Sequence, residues 1–339
     1  MTLFIRRTLH SLLRVVVEQP CSLRRNAALN KKLKGVSAGT GSLGIESSSV
    51  FQHFSTSSRT TSSISTHPLK QAVKLSYDVI EGSPEMSPII ILHGVFGSKS
   101  NWSTLTKKIH KETQATVIAA DLRNHGNSEH GDGMTLEVMR DDLLMLIRDE
   151  LQIDHCTLIG HSLGGRVAMV TALSQPHLIE KLVVVDVSTV SSKSIFNFQQ
   201  FILAMKSVQF NQNTSLYENR KSAGKELETV ITEAGILQFI LTNVIERGGC
   251  IQWRFNLHGL DTGLQDILKE LPTLDATYNG PVLFVKGGKS QYIRKEHLPA
   301  IKKFFPTAAI STVEGAGHFV HSEKPKEFLE TVVPFLKSS

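Results

Sequence analysis

The chain has 339 residues, 40% of them hydrophobic, with ordinary glycine and proline content and a formal net charge of +6. It can bury a large core, yet no uninterrupted apolar run reaches the roughly 20 residues of a membrane-spanning helix. Three cysteines, Cys21, Cys156 and Cys250, provide neither a disulfide framework nor a metal-binding spacing. The positive charge is local: residues 1–66 hold nine of the 37 Lys and Arg but only Glu18 and Glu46 of the 31 acidic residues, leaving the rest at −1. The basic balance therefore carries no implication of nucleic-acid binding.

Leu3, Phe4, Leu9, Leu12, Leu13 and Val16 can share one helix face, with Arg6, Arg7 and Arg14 on the other. A Ser/Thr-rich stretch follows from Ser47 to Thr66. An amphipathic, Arg-rich, acid-poor start of this kind predicts an organelle transit peptide over residues 1–66. The run from Phe51 to Ser57 resembles the end of a mitochondrial presequence, with a plastid as the competing address.

Folded structure is expected from near Leu69. Val73, Leu75, Tyr77 and Val79 alternate with polar residues, as in an edge strand. Residues 88–92, 116–120 and 181–185, and Leu158-Ile159 before Gly160, are short apolar runs, the pattern of strands buried on both faces. Helical spacing lies between them, over Asn101–Ile109, Leu136–Leu151 and Val167–Leu173. This alternation predicts an α/β fold: a mostly parallel sheet with helices on both faces and ligands beyond the C-terminal strand ends. Residues 189–279 break the alternation with helical patterns over Ile195–Val208, Lys225–Glu246 and Leu264–Leu271 and few strand signals. They also concentrate Phe196, Phe198, Phe201, Phe210, Phe239, Trp253 and Phe255, so they are expected to form a helical cap over the strand ends. The core would comprise residues 67–188 and 280–339, with strands resuming at Pro281–Val285 and Ala309–Val313 and a closing helix from Pro325 to Leu336. Gly288-Lys289-Ser290 looks like part of a phosphate-binding loop, but position 283 is leucine where that motif needs glycine.

The chemistry centres on Gly160-His161-Ser162-Leu163-Gly164. A strand turning sharply into a helix there would expose the Ser162 hydroxyl on a strained corner. Serine needs a base to take its proton, and the base needs a partner to fix its tautomer. His318, in Gly315-Ala316-Gly317-His318, is the expected base; His321 is weaker, and His161 is expected to be structural, pointing into the sheet junction. Asp186, at the end of a strand, is the expected orienting acid, with Asp261 and Asp275 as weaker alternatives and Ser290 as a further member of the network. An oxyanion would be held by the backbone amide of Leu163 and by that of Val95 or Phe96.

His93-Gly94-Val95-Phe96-Gly97-Ser98, Asp121–Ser128, the Ser162 pentapeptide, Gly287–Ser290 and Gly315–His318 occur in the order and spacing of α/β-hydrolases. The chain resembles that superfamily over about residues 70–337. Asp121–Ser128 and Trp253-Arg254-Phe255-Asn256 are similar to the mitochondrial α/β-hydrolase domain-containing protein 11 class and related small bacterial esterases. The resemblance implies a serine esterase or lipase-like hydrolase with no metal and no organic cofactor. Its substrate would be a small-molecule acyl ester, with no nucleic acid and no stable membrane insertion. An acyl thioesterase or acylglycerol lipase would use the same site. A non-catalytic homologue, binding a ligand or associating with mitochondrial enzymes, is the alternative from another class. Epoxide hydrolases and dehalogenases are disfavoured, because they use aspartate where this chain has Ser162.

Overall fold

The computed structural model describes residues 72–191, 198–272 and 275–338; the expected leader over 1–66 and Phe196 lie outside them. The chain runs β1 (Tyr77–Ile80), β2 (Ile89–Leu92), α1 (Ser103–Thr113), β3 (Val117–Ala120), α2 (Leu136–Met145), β4 (Cys156–His161), α3 (Leu163–Ser174) and β5 (Ile179–Val185). It continues through α4 (Phe198–Ser207), α5 (Leu216–Leu227), α6 (Ala234–Leu241), β6 (Val244–Arg247), β7 (Cys250–Trp253) and α7 (Leu257–Ile267). The last elements are β8 (Val282–Gly287), α8 (Leu298–Phe304), β9 (Ala309–Val313), α9 (Val320–Glu323) and α10 (Pro325–Lys337).

A seven-stranded sheet has the order β1-β3-β2-β4-β5-β8-β9. Only the edge strand β1 is antiparallel; β2, β3, β4, β5, β8 and β9 pair in parallel. The apolar runs make such strands because alternate residues feed opposite faces. Ile90, Leu92, Leu158 and Val184 pack with α2 and α3, through Met139, Leu143 and Val167. Ile89, Ile91, Ile159, Val183 and Val185 pack on the other face with Trp102, Ile109, Phe328 and Val332, from around α1 and from α10.

Between β5 and β8 the chain forms α4 to α7. The continuous helix expected over Lys225–Glu246 is absent: α5 ends at Leu227, α6 spans only Ala234–Leu241, and β6 pairs with β7 in a two-stranded sheet. The β-branched cluster Thr229, Val230 and Ile231 follows the end of α5, and Val244 and Ile245 open β6. That is the chemistry of strands and turns rather than of helix interiors. Among the described residues no helix is long and apolar enough to cross a membrane.

Candidate active site

The β4–α3 junction is a strained corner. Ser162 caps α3 with φ 51° and ψ −115°, outside the regions that ordinary residues occupy. The corner closes because Gly160 and Gly164 bring no side chain. A Cβ on Gly160 would lie 2.3 Å from Gly164 O, and one on Gly164 would lie 2.5 Å from Leu92 O. Ser162 is mostly buried but lines a recess of about 390 Å³, including its open mouth.

His318, on the loop after β9, lines the same recess. Its Nδ1 lies 2.8 Å from Asp186 Oδ2. Asp186 is fully buried just beyond β5, with φ 49°. Its Oδ1 accepts from the Gly287 amide at 3.0 Å, and its Oδ2 also accepts from the Ser290 hydroxyl. Ser290 therefore anchors the carboxylate from the loop that follows β8. With Nδ1–H given to Asp186, Nε2 is the basic nitrogen of His318. Tyr292 stacks on the imidazole, with centroids 3.9 Å apart and planes 15° apart. Its phenol is pushed well above its ordinary range, first by burial and then by the nearby Asp186 carboxylate. Asp261 is engaged instead by Gln199 and Lys206, and Asp275 is exposed.

Three other histidines surround the pair without competing for its role. His161 does not point away into the sheet: it lines the recess, and its Nε2 lies 3.0 Å from the His318 carbonyl oxygen. It thereby holds the main chain that carries His318. Burial, then neighbouring His321 and His318, lower its pKa well below the ordinary value. His321 is buried and stacked on Trp102, centroids 4.1 Å apart, with its pKa lowered to about 3 by burial and then by His318. His93 accepts the Leu122 amide on Nε2 at 3.0 Å, and burial lowers its pKa to about 4.

The two amides expected beside Leu163 differ. Phe96 N–H is already donated to His125 Nε2 at 3.2 Å, which corrects the expectation for Phe96. Among the described residues, no acceptor takes the amides of Val95 or Leu163. Leu163 opens α3, where the first amides have no acceptor inside the helix. Val95 lines the recess beside Ser162.

The remaining wall is apolar: Phe198 and Phe201 from α4, Ile236 and Phe239 from α6, with Phe96 and Phe319. Among the described residues, no Lys, Arg, Asp or Glu lines the recess. Such a wall accepts a hydrocarbon chain and rejects a charged group, whose desolvation no partner would offset. No group of His, Cys, Asp and Glu suited to a metal ion exists among the described residues.

The Asp121–Ser128 run is a scaffold. Asp121 accepts amides from Lys99 and Asn127, and Arg123 makes a buried two-pronged ion pair with Asp142 at 2.6 and 2.7 Å. Asn124 receives Asn256 of the segment between β5 and β8, through its backbone at 2.9 Å and its side chain at 3.1 Å. Spacing alone gave no indication of these ties, nor of Tyr292 stacked on His318.

A family model described as alpha/beta hydrolase fold matches residues 87–232. The sn-1-specific diacylglycerol lipase ABHD11 of Danio rerio is 42% identical over 265 residues, covering 78% of this chain and 83% of that protein. Esterase YbfF of Escherichia coli (strain K12) is 31% identical over 252 residues, covering 74% of this chain and 93% of that protein. Among solved structures, a marine microorganism esterase superimposes with a TM-score of 0.72 at 30% identity, covering 78% of this chain and 100% of that one.

Proposed function

This chain belongs to the α/β-hydrolase family, in the group of the ABHD11 proteins and small bacterial esterases, and we propose that it is a serine hydrolase of carboxylic esters working through an acyl-enzyme. One observation carries the proposal. The buried Asp186 carboxylate holds Nδ1 of His318, and His318 shares one apolar recess with Ser162 on its strained corner.

The chemistry follows from those positions. His318 Nε2 takes the Ser162 proton as Oγ attacks the acyl carbon. Asp186 stabilises the imidazolium and fixes its orientation. The amides of Leu163 and Val95 receive the charge that develops on the acyl oxygen, each worth about 2.7–4 kcal/mol in comparable sites. His318 then protonates the leaving alcohol, and water activated by the same imidazole releases the acid. The apolar wall selects a neutral hydrocarbon acyl chain, and it covers the reacting atoms against bulk water.

Fluorophosphonate labelling tests this directly. Wild-type protein is expected to react at Ser162, and p-nitrophenyl esters of apolar acids are expected to be turned over. Folded protein that neither labels nor hydrolyses these esters would leave a ligand-binding homologue as the better description. The mitochondrion is the proposed address, supported by the Arg- and Ser-rich, acid-poor composition of residues 1–66. A reporter fused behind those residues should reach mitochondria; a cytosolic signal ends that proposal.

A further inference from the structure

Phe96 stands in the left-handed backbone region, at φ 61°. For a bulky non-glycine residue that conformation is an outlier that surrounding structure must enforce, at about 1–3 kcal/mol. Two buried side chains grip its peptide groups from opposite sides. His125 Nε2 accepts the Phe96 amide at 3.2 Å, while Nδ1 of the same ring pairs with Arg123 O at 2.8 Å. The ring is thus a neutral tautomer with its proton on Nδ1 and its lone pair on Nε2. Asn243 Nδ2 donates to Phe96 O at 2.9 Å and approaches Phe239 O at 3.5 Å. Asn243 sits between α6 and β6, with its own amide on Ile240 O and its carbonyl accepting from Arg254 N. Gly94 O, in the peptide that carries the Val95 amide, is held by His93 Nδ1 at 2.7 Å and Gly97 N at 3.0 Å. The next peptides of the loop are clamped by His125 and, from the segment between β5 and β8, by Asn243.

We propose that Asn243 and His125 are positioning residues for the oxyanion site: they hold the strained Phe96 peptide so that the neighbouring Val95 amide stays turned to the reacting acyl group. This rests on the acyl-enzyme chemistry proposed above. The segment between β5 and β8 then does more than wall the pocket. Through Asn243 it completes the electrostatic half of the site, and it ties that half to the α6 turn carrying Phe239. Ground-state binding of the acyl chain uses the side-chain faces of the aromatic wall, whereas the clamp bonds only main-chain atoms of Phe96 and Phe239. Its loss should appear in the step where charge develops.

The experiment uses Asn243→Ala in the full chain, assayed on a p-nitrophenyl ester and with an alkyl trifluoromethyl ketone, which forms a tetrahedral oxyanion on serine. A displacement of the donor of about 1 Å can lower rates on the order of 100-fold. We expect kcat to fall about 10- to 100-fold with KM within about twofold, and the ketone's inhibition constant to rise by the same factor. His125→Leu should behave alike, while His125→Gln, which presents an oxygen near the place of Nε2, should recover much of the loss. Thermal melting checks that each variant is folded; if the alanine variant is not, Asn243→Asp keeps the shape and removes the donor. Unchanged kcat in a folded variant overturns the proposal. So does a rise in KM alone, or His125→Gln as impaired as His125→Leu. Failure of wild-type protein to label with fluorophosphonate would instead remove the acyl-enzyme chemistry itself.

Discussion

The rim of strand ends and the helical segment facing it across the recess are held by different forces. On the rim, the polar groups are fixed by several directed bonds: Asp186 accepts from Gly287, Ser290 and His318, and Asp121 accepts from two backbone amides. The facing helices offer the recess mainly aromatic and aliphatic carbon, through Phe198, Phe201, Ile236 and Phe239. Directed bonds fix geometry to tenths of an ångström, whereas apolar packing fixes volume and exclusion of water. The rim should therefore be intolerant of isosteric polar changes, and the helices tolerant of changes that keep the surface apolar.

The largest effect expected on the rim comes from Ser162→Ala, which removes the proposed nucleophile and little buried surface. Ester turnover should fall on the order of 10⁴-fold or more, with fluorophosphonate labelling abolished and thermal melting close to wild type. Asp186→Asn comes next. Asparagine keeps the volume but can present its amide NH₂ to His318, favouring the wrong tautomer, so kcat should fall on the order of 10³- to 10⁴-fold. Ser290→Ala removes one of the bonds to that carboxylate and should cost far less, about tenfold. Near wild-type turnover of Asp186→Asn would break the comparison on the rim side.

A fourth effect concerns stability and belongs to the rim's histidines. His93, His125, His161 and His321 all have pKa values lowered below the ordinary 6.5, chiefly by burial. Above about pH 6.5 neither the folded nor the unfolded chain protonates them, and their contribution to stability is complete. As pH falls below that value the unfolded chain takes up protons that the folded chain refuses. Stability drops at up to about 1.4 kcal/mol per pH unit for each ring, until the folded-state pKa values near 4 and 3 are reached. Between about pH 7.5 and about pH 5.5 the four rings together should remove roughly 5 kcal/mol. Urea unfolding at the two pH values measures this; a loss smaller than one ring's share would show that the folded site accepts the protons.

The same contrast explains what the residue pattern revealed. Ser162 was legible because the corner requires Gly160 and Gly164, and steric necessity leaves a local signature. The strand ends were legible because each buried apolar run stops where a polar residue begins, such as Val185 before Asp186. The segment between β5 and β8 was not. Its break after Leu227 and its β6–β7 pairing depend on packing that no local period encodes. Asn243 bonds Phe96 across 147 positions of sequence. His161 was misread because its direction is set by His318, which arrives from the far end of the chain. Phe96 failed as an oxyanion donor for a comparable reason: its amide is taken by a ring that spacing does not connect to it.

The smallest effect sharpens the helical side. Phe239 stands on α6 with its ring 5.1 Å from that of Phe319, the residue after His318. Both rings line the recess, so Phe239→Ala enlarges it next to Ser162 without touching a bond of Asp186, His318 or Leu163. Chemistry should be nearly intact, with kcat on a medium-chain ester within about threefold of wild type. Binding should change with chain length. Short acyl esters lose their wall and KM rises, while longer chains fill the new space, shifting the ratio of their kcat/KM values by about tenfold, as expected for one or two methylenes. A series of p-nitrophenyl esters of increasing length reads this out in one experiment. A uniform fall in kcat across the series would mean that Phe239 acts on the reacting atoms, through the α6 turn that shares Asn243 with the oxyanion loop. The division between a directed rim and an apolar wall would then fail at that point.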